Sequence, residues 1–229
     1  MMRSMPPTID TSLEFYADPI SPYVYIASHR VRRLVAARPD LEIEVRPVLF
    51  AALLDHFGQR GPAEIAAKRV FTFKDVARRC HDLGVPLVGP ATHPFNPLAA
   101  LRAILAAPAS DRLRALAAIV DAGWGLGADL GDPGAIARAL TDAGLDGPAL
   151  VAAGGAAEVK QALAAATREA AARGVFGVPT FGARDELLFG QDRLDDALRV
   201  LAGADPVDPA QVIEMLARPA GATRRAAAS

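Results

Sequence analysis

The strand-like segments of this chain lie at its two ends, and residues 49–173 between them are helical in pattern. Near the start, Leu13-Glu14-Phe15-Tyr16-Ala17 is short and mixed apolar and aromatic, which fits a strand. Asp18-Pro19-Ile20-Ser21-Pro22 is a turn. Tyr23, Ile26, Ala27, Val31, Leu34 and Val35 then recur at helical spacing, and Leu41 to Pro47 alternates strictly. Strand, helix and strand this close together form a unit with two parallel strands. Near the other end, Val175 to Phe181 and Glu186 to Phe189 fit a strand pair, and a helix starting at Asp192 carries Leu194, Leu198 and Leu201. Neither end has enough strands to close its own core. The economical fold is α/β, with one mixed sheet (βαβ…ββα) built from both ends and a large all-helical insertion between them. Residues 11–48 and 174–217 make up the sheet unit and 49–173 the insertion. Residues 1–10 and 218–229 are expected to be frayed tails.

At 229 residues and 52% hydrophobic, the chain can bury a core without metals or disulfides as staples. Its single cysteine excludes an intramolecular disulfide, a zinc cluster and any Cys-x-x-Cys redox pair. Cys80 sits on an apolar helical face with Val70, Phe73, Val76, Ala77 and Leu83, a core position. A net charge of −1 argues against nucleic acid or an anionic membrane as main partner. No apolar run is long enough to span a bilayer, and residues 1–12 hold no signal-peptide core, so a cytoplasmic location is expected.

Two places carry chemistry. Ser21-Pro22-Tyr23 stands at a strand-to-helix junction, where free N–H groups and the positive end of the helix dipole favour an anion. The same residues also make an ordinary helix start, with Ser as N-cap and Pro in the first turn. Val178-Pro179 precedes a strand and fits a cis peptide bond, with Val178's backbone groups turned towards an extended peptide; a trans proline opening the strand is equally compatible.

Five stretches together resemble a known family. They are Phe15 to Tyr23, Arg46-Pro47-Val48-Leu49, Gly84-Val85-Pro86 with Pro94-Phe95-Asn96, Gly174 to Thr180, and Gly190-Gln191-Asp192-Arg193-Leu194. In order and spacing they resemble the thioredoxin-fold family of 2-hydroxychromene-2-carboxylate isomerases and kappa-class glutathione transferases, within the DsbA-like group. DsbA-like oxidoreductases carry Cys-x-x-Cys where this chain has Ser21-Pro22-Tyr23-Val24. The resemblance therefore implies a thiol that arrives with glutathione and a Ser21 that stabilises its thiolate. A free thiol of pKa about 8.5 is only about 3% ionised at pH 7, and lowering it by two units takes about 2.7 kcal/mol. One charge-assisted hydrogen bond of roughly 1.5–3 kcal/mol and a dipole contribution of roughly 0.3–1 kcal/mol cover that requirement.

The same resemblance implies the other glutathione contacts. Val178 and Pro179 meet the cysteinyl part, Asp192 and Arg193 the γ-glutamyl end, and Lys68 the glycyl carboxylate. Gln59 lies where many relatives have Asn. Asp192 also fits a plain helix N-cap, and Lys68 and Gln59 a solvated surface. Asn96, Trp124 and Arg102 are candidates to face an electrophilic substrate, although Asn96-Pro97 also fits a cap and Trp124 a core position. A homodimer is implied as well.

Two lookalikes carry no function. Gly123-Trp124-Gly125-Leu126-Gly127-Ala128 mimics a dinucleotide loop, but a helical stretch rather than a strand precedes it. His29, His56, His81 and His93 show no metal-ligand spacing. The implied activity is isomerisation of 2-hydroxychromene-2-carboxylate to trans-o-hydroxybenzylidenepyruvate through reversible thiolate addition. A kappa-type transferase is the enzymatic alternative. A non-catalytic thiol- or peptide-binding module working by strand addition is the alternative of another class.

Overall fold

A computed structural model describes residues 11–222. The tails expected at 1–10 and 223–229 lie outside the described residues, and 218–222 are exposed. Strand β1 (Ser12–Ala17) leads through the 18–21 loop into helix α1 (Pro22–Ala37), then strand β2 (Glu42–Pro47). Pro22 opens α1, where its missing N–H costs no hydrogen bond. Arg38 closes the helix by donating its N–H to Leu34 O, and Pro39 keeps it from continuing.

The insertion holds α2 (Phe50–His56), α3 (Ala66–Leu83), α4 (Leu98–Ala106) and α5 (Arg112–Val120), which runs into one π-helical turn, Asp121–Gly125. Helices α6 (Pro133–Asp142), α7 (Gly147–Ala153) and α8 (Ala157–Arg173) follow. The Asp132 carboxylate caps α6 by accepting from Gly134 N and Ala135 N, and Gly174 ends α8 in the left-handed region at φ 102°. Strands β3 (Thr180–Ala183) and β4 (Glu186–Phe189) and helices α9 (Leu194–Leu201) and α10 (Pro209–Leu216) complete the described chain.

The sheet order is β2-β1-β3-β4. β1 runs parallel to β2 and antiparallel to β3, with Phe15 opposite both Val45 and Phe181. The Phe15 and Phe181 rings stack 5.2 Å apart in the middle of the sheet. One continuous hydrophobic cluster joins Leu13, Phe15 and Ile26 of the sheet unit to Ile104, Leu116 and Trp124 of the insertion. Sheet and insertion therefore share a core.

Three expectations need correcting. The apolar run from Val175 does not start a strand. Val175 N closes α8 on Ala170 O, Pro179 has no N–H to give a ladder, and pairing begins at Thr180. Helix α9 begins at Leu194, with Arg193 rather than Asp192 at its N-cap, because the 190–193 turn is closed by Arg193 N on Gly190 O. On α3 only Val76 and Cys80 are buried, and Val70 is 56% exposed: α3 meets the core through its middle and last turns.

Candidate active site

The loop between β1 and α1 is fixed peptide by peptide. In the Pro19–Ile20 unit, the carbonyl accepts from Trp124 Nε1 at 2.9 Å and the Ile20 N–H donates to Asp18 Oδ1 at 3.0 Å. In the Ile20–Ser21 unit, His93 Nε2 lies 3.2 Å from the carbonyl, and the Ser21 N–H donates to Asp18 O at 3.0 Å. Both peptide planes before Ser21 are thus tied at both ends. Both outer donors, Trp124 and His93, come from the helical insertion.

Asp18 is fully buried. Its second oxygen accepts from Phe50 N, the first N–H of α2, at 2.9 Å. Burial pushes its carboxyl up to about 7, against the pull of the two N–H bonds. His93 packs edge-on among Phe73, Phe95 and Trp124, and burial lowers its basicity, so its ring stays neutral near pH 7.

Ser21 is the N-cap of α1 by backbone position, but its hydroxyl caps nothing in the helix. Instead Ser21 Oγ donates to Val178 O at 3.3 Å. That is beyond the usual O–H···O range, so the bond is weak and the hydroxyl can turn to a better acceptor. The Val178–Pro179 bond is cis. Ser21 and Val178 are 157 residues apart in sequence and meet at the uncapped start of a helix. Among the described residues, Val178 N–H has no partner within the chain.

The turn after β4 lies against the same point, since Gly190 N donates to Pro179 O at 2.9 Å. Gly190 has φ 122°, a backbone conformation that favours glycine, and Asp192 folds over it with Oδ1 2.7 Å from where a Cβ would sit. Asp192 Oδ2 pairs with Arg193 at 2.9 Å. Gln191 is 8% exposed, and its Oε1 is buried without a partner among the described residues.

The remaining candidates are placed differently. Trp124 is 1% exposed and lies beneath the Pro19 carbonyl, with no ring face in solvent. Asn96 is exposed, and its Oδ1 accepts from Leu98 N at 3.1 Å just before α4, whose N-cap position is Pro97. Lys68 and Gln59 are exposed, on the first turn of α3 and in the loop before it. From α3 it is Arg69 rather than Lys68 that reaches the 93–95 loop, donating to His93 O at 3.0 Å. Arg102 is half-buried on α4, its backbone against Gly154 beyond α7, with its Nε buried and without a partner among the described residues.

Reading the sequence missed Asp18, His93 and Gln191. The signal for Asp18 was an acid directly before Pro19 and three residues from Ser21; that for His93 was its place before Pro94, also a cis bond.

Fold and site together define a thioredoxin-like protein with serine at the redox turn. The chain belongs to the DSBA-like thioredoxin domain family, which matches residues 12–202. It is 31% identical to a 2-hydroxychromene-2-carboxylate isomerase of Sphingobium xenophagum over 191 residues, 80% of this chain and 94% of that protein. It is also 31% identical to glutathione S-transferase kappa 1 of Caenorhabditis elegans over 78 residues, 34% of each chain. The solved structure of a selenomethionine 2-hydroxychromene-2-carboxylate isomerase matches with a TM-score of 0.75 at 22% identity, over 90% of this chain and all of that one. The cytosolic disulfide reductase DsbM of Pseudomonas aeruginosa, solved with GSH, matches with a TM-score of 0.59 at 18% identity, over 84% of this chain and 96% of that one. These relatives are named as enzymes; the two structural likenesses are of fold. No helix among the described residues is long and apolar enough to cross a membrane.

Proposed function

We propose that this chain is a glutathione-dependent cytoplasmic isomerase of aromatic catabolism, acting on substrates of the 2-hydroxychromene-2-carboxylate type. The observation that carries the proposal is the meeting of the Ser21 hydroxyl and the Val178 carbonyl at the uncapped N-terminus of α1. A cysteine-free redox turn with its hydroxyl weakly engaged suits a thiol brought from outside.

The residues present fit glutathione. Val178 offers a backbone N–H for the cysteinyl unit. Gln191 Oε1, buried and without a partner among the described residues, is an acceptor adjacent in sequence to Asp192, the proposed partner of the α-ammonium. The exposed Lys68 remains the proposed partner of the glycyl carboxylate, with Gln59 near it in sequence. Glutathione, when bound, would supply a sulfur nucleophile for reversible addition to a conjugated carbon, and so for rotation about the bond left single. Ser21 would donate its O–H to that sulfur in place of Val178 O, while the first turn of α1 adds its positive end. Holding the sulfur as thiolate favours both its attack and its departure. Trp124, His93 and Asp18 hold the backbone of the Ser21 loop in one conformation, so the backbone is already in place when charge develops and the hydroxyl alone turns.

The partial match to a kappa glutathione transferase favours a second outcome at the same site, in which the adduct is released instead of resolved. The mass of the product after turnover separates the two. Calorimetry with glutathione tests the reading itself. Wild type is expected to bind glutathione and isomerise the substrate, and Ser21→Ala to lose at least about tenfold in turnover, as for loss of one charge-assisted hydrogen bond. Binding of unstructured peptides without any glutathione requirement would favour the non-catalytic module instead.

A further inference from the structure

The structure assigns a positioning role to His93, a residue that touches neither a proposed glutathione contact nor the reacting carbon. The inference rests on the thiolate-stabilising reading of Ser21 and goes on to say what sets the direction of that hydroxyl.

The Ile20 carbonyl belongs to the peptide unit whose N–H is that of Ser21. His93 Nε2 lies 3.2 Å from that carbonyl. A carbonyl only accepts, so Nε2 carries the proton and Nδ1 is left bare. Nδ1 is buried with no partner among the described residues, which also disfavours a proton there. Swinging the ring to another acceptor is opposed by Phe73, Trp124 and Phe95, which pack against it with centroids 5.5, 5.3 and 6.5 Å away. Its backbone is held too: the Arg69 guanidinium donates to His93 O and lies 5.6 Å from the Phe73 ring centre. His93 is therefore a rigid neutral donor, built from three parts of the insertion and aimed at one carbonyl of the sheet unit. Asp18 O holds the other end of the same peptide. Without His93 the Ile20–Ser21 peptide is held at its N–H end alone and can tilt about its flanking bonds. The Ser21 hydroxyl and the first N–H groups of α1 then cease to converge on one point.

Two substitutions separate donor from bulk. His93→Phe keeps an aromatic ring in the cage and removes the donor. His93→Gln puts an amide N–H at about the reach of Nε2. The readout is the ultraviolet absorbance of the glutathione thiolate on the protein as a function of pH, with circular dichroism to confirm that each variant is folded. The expected result is a wild type whose bound thiol ionises below the free thiol, a His93→Phe variant with about a tenfold smaller thiolate-to-thiol ratio at pH 7, and recovery of most of that ratio in His93→Gln. A second check is histidine nitrogen NMR, which should show His93 as the Nε2–H tautomer. A lowered thiol pKa in wild type that His93→Phe leaves unchanged, or an Nδ1–H tautomer, overturns the role of His93 and leaves that of Ser21 standing. An unshifted thiol pKa in wild type overturns both.

Discussion

Ser21 and Asp18 sit three residues apart and answer to opposite demands. Ser21 offers a hydroxyl that its own fold barely uses, while Asp18 is spent entirely on the fold, bonding Ile20 N and Phe50 N from a fully buried position. Burial raises the Asp18 pKa from 3.8 to about 7. The native state therefore keeps a proton between about pH 4 and 7 that the unfolded chain has released. Stability drawn from this group is fully present below about pH 4 and is lost as the pH rises through 7. The unfolding free energy of wild type relative to Asp18→Asn should accordingly fall across that window, by on the order of 4 kcal/mol. Denaturant titrations at several pH values check this, and a constant difference would mean that Asp18 is ionised in the native state. Legibility at this scale is uneven for a physical reason. Ser21 and Val178-Pro179 announce themselves through turn chemistry in their own neighbourhoods. His93 works on a carbonyl 73 residues away, and nothing in Thr92-His93-Pro94 encodes that the ring is caged.

Among the elements, those with a clear period and a clear stop were legible. Strand β2 alternates, Asp132-Pro133 caps α6, and Gly174 ends α8 as a glycine at a left-handed terminus should. The error at β3 has the opposite cause. Val175 to Phe181 has strand composition, but composition does not say which residues find a ladder partner, and a proline without an N–H delays pairing to Thr180. The contact between α6 and α7 was invisible in sequence and is tight in structure. A Cβ on Gly147 would come 1.9 Å from Ala137 O, a backbone atom that cannot yield like a side-chain end. Gly147→Ala should therefore destabilise the protein by about 1–3 kcal/mol, as overpacking does. Thermal or denaturant melting checks it, and an unchanged midpoint would show that α7 shifts freely on α6.

On the scale of the whole molecule, the two units are joined by more than apolar packing. One sheet from both chain ends around an insertion is legible in the placing of the strand-like segments. That the insertion reaches back with two N–H groups to the loop before Ser21, and that its helices share the core of the sheet, is written in no local segment. The single cysteine is in keeping with the proposed use of an external thiol: Cys80 is buried in α3, where burial pushes its thiol up to about 11 and leaves it a poor nucleophile. The composite site has one decisive test, a crystal structure of the protein with glutathione. The account predicts the sulfur within hydrogen-bond reach of Ser21 Oγ, about 3.5 Å or less, with the cysteinyl backbone paired to Val178 and the γ-glutamyl end at Gln191 and Asp192. Glutathione bound elsewhere, or a sulfur turned away from Ser21, would contradict it.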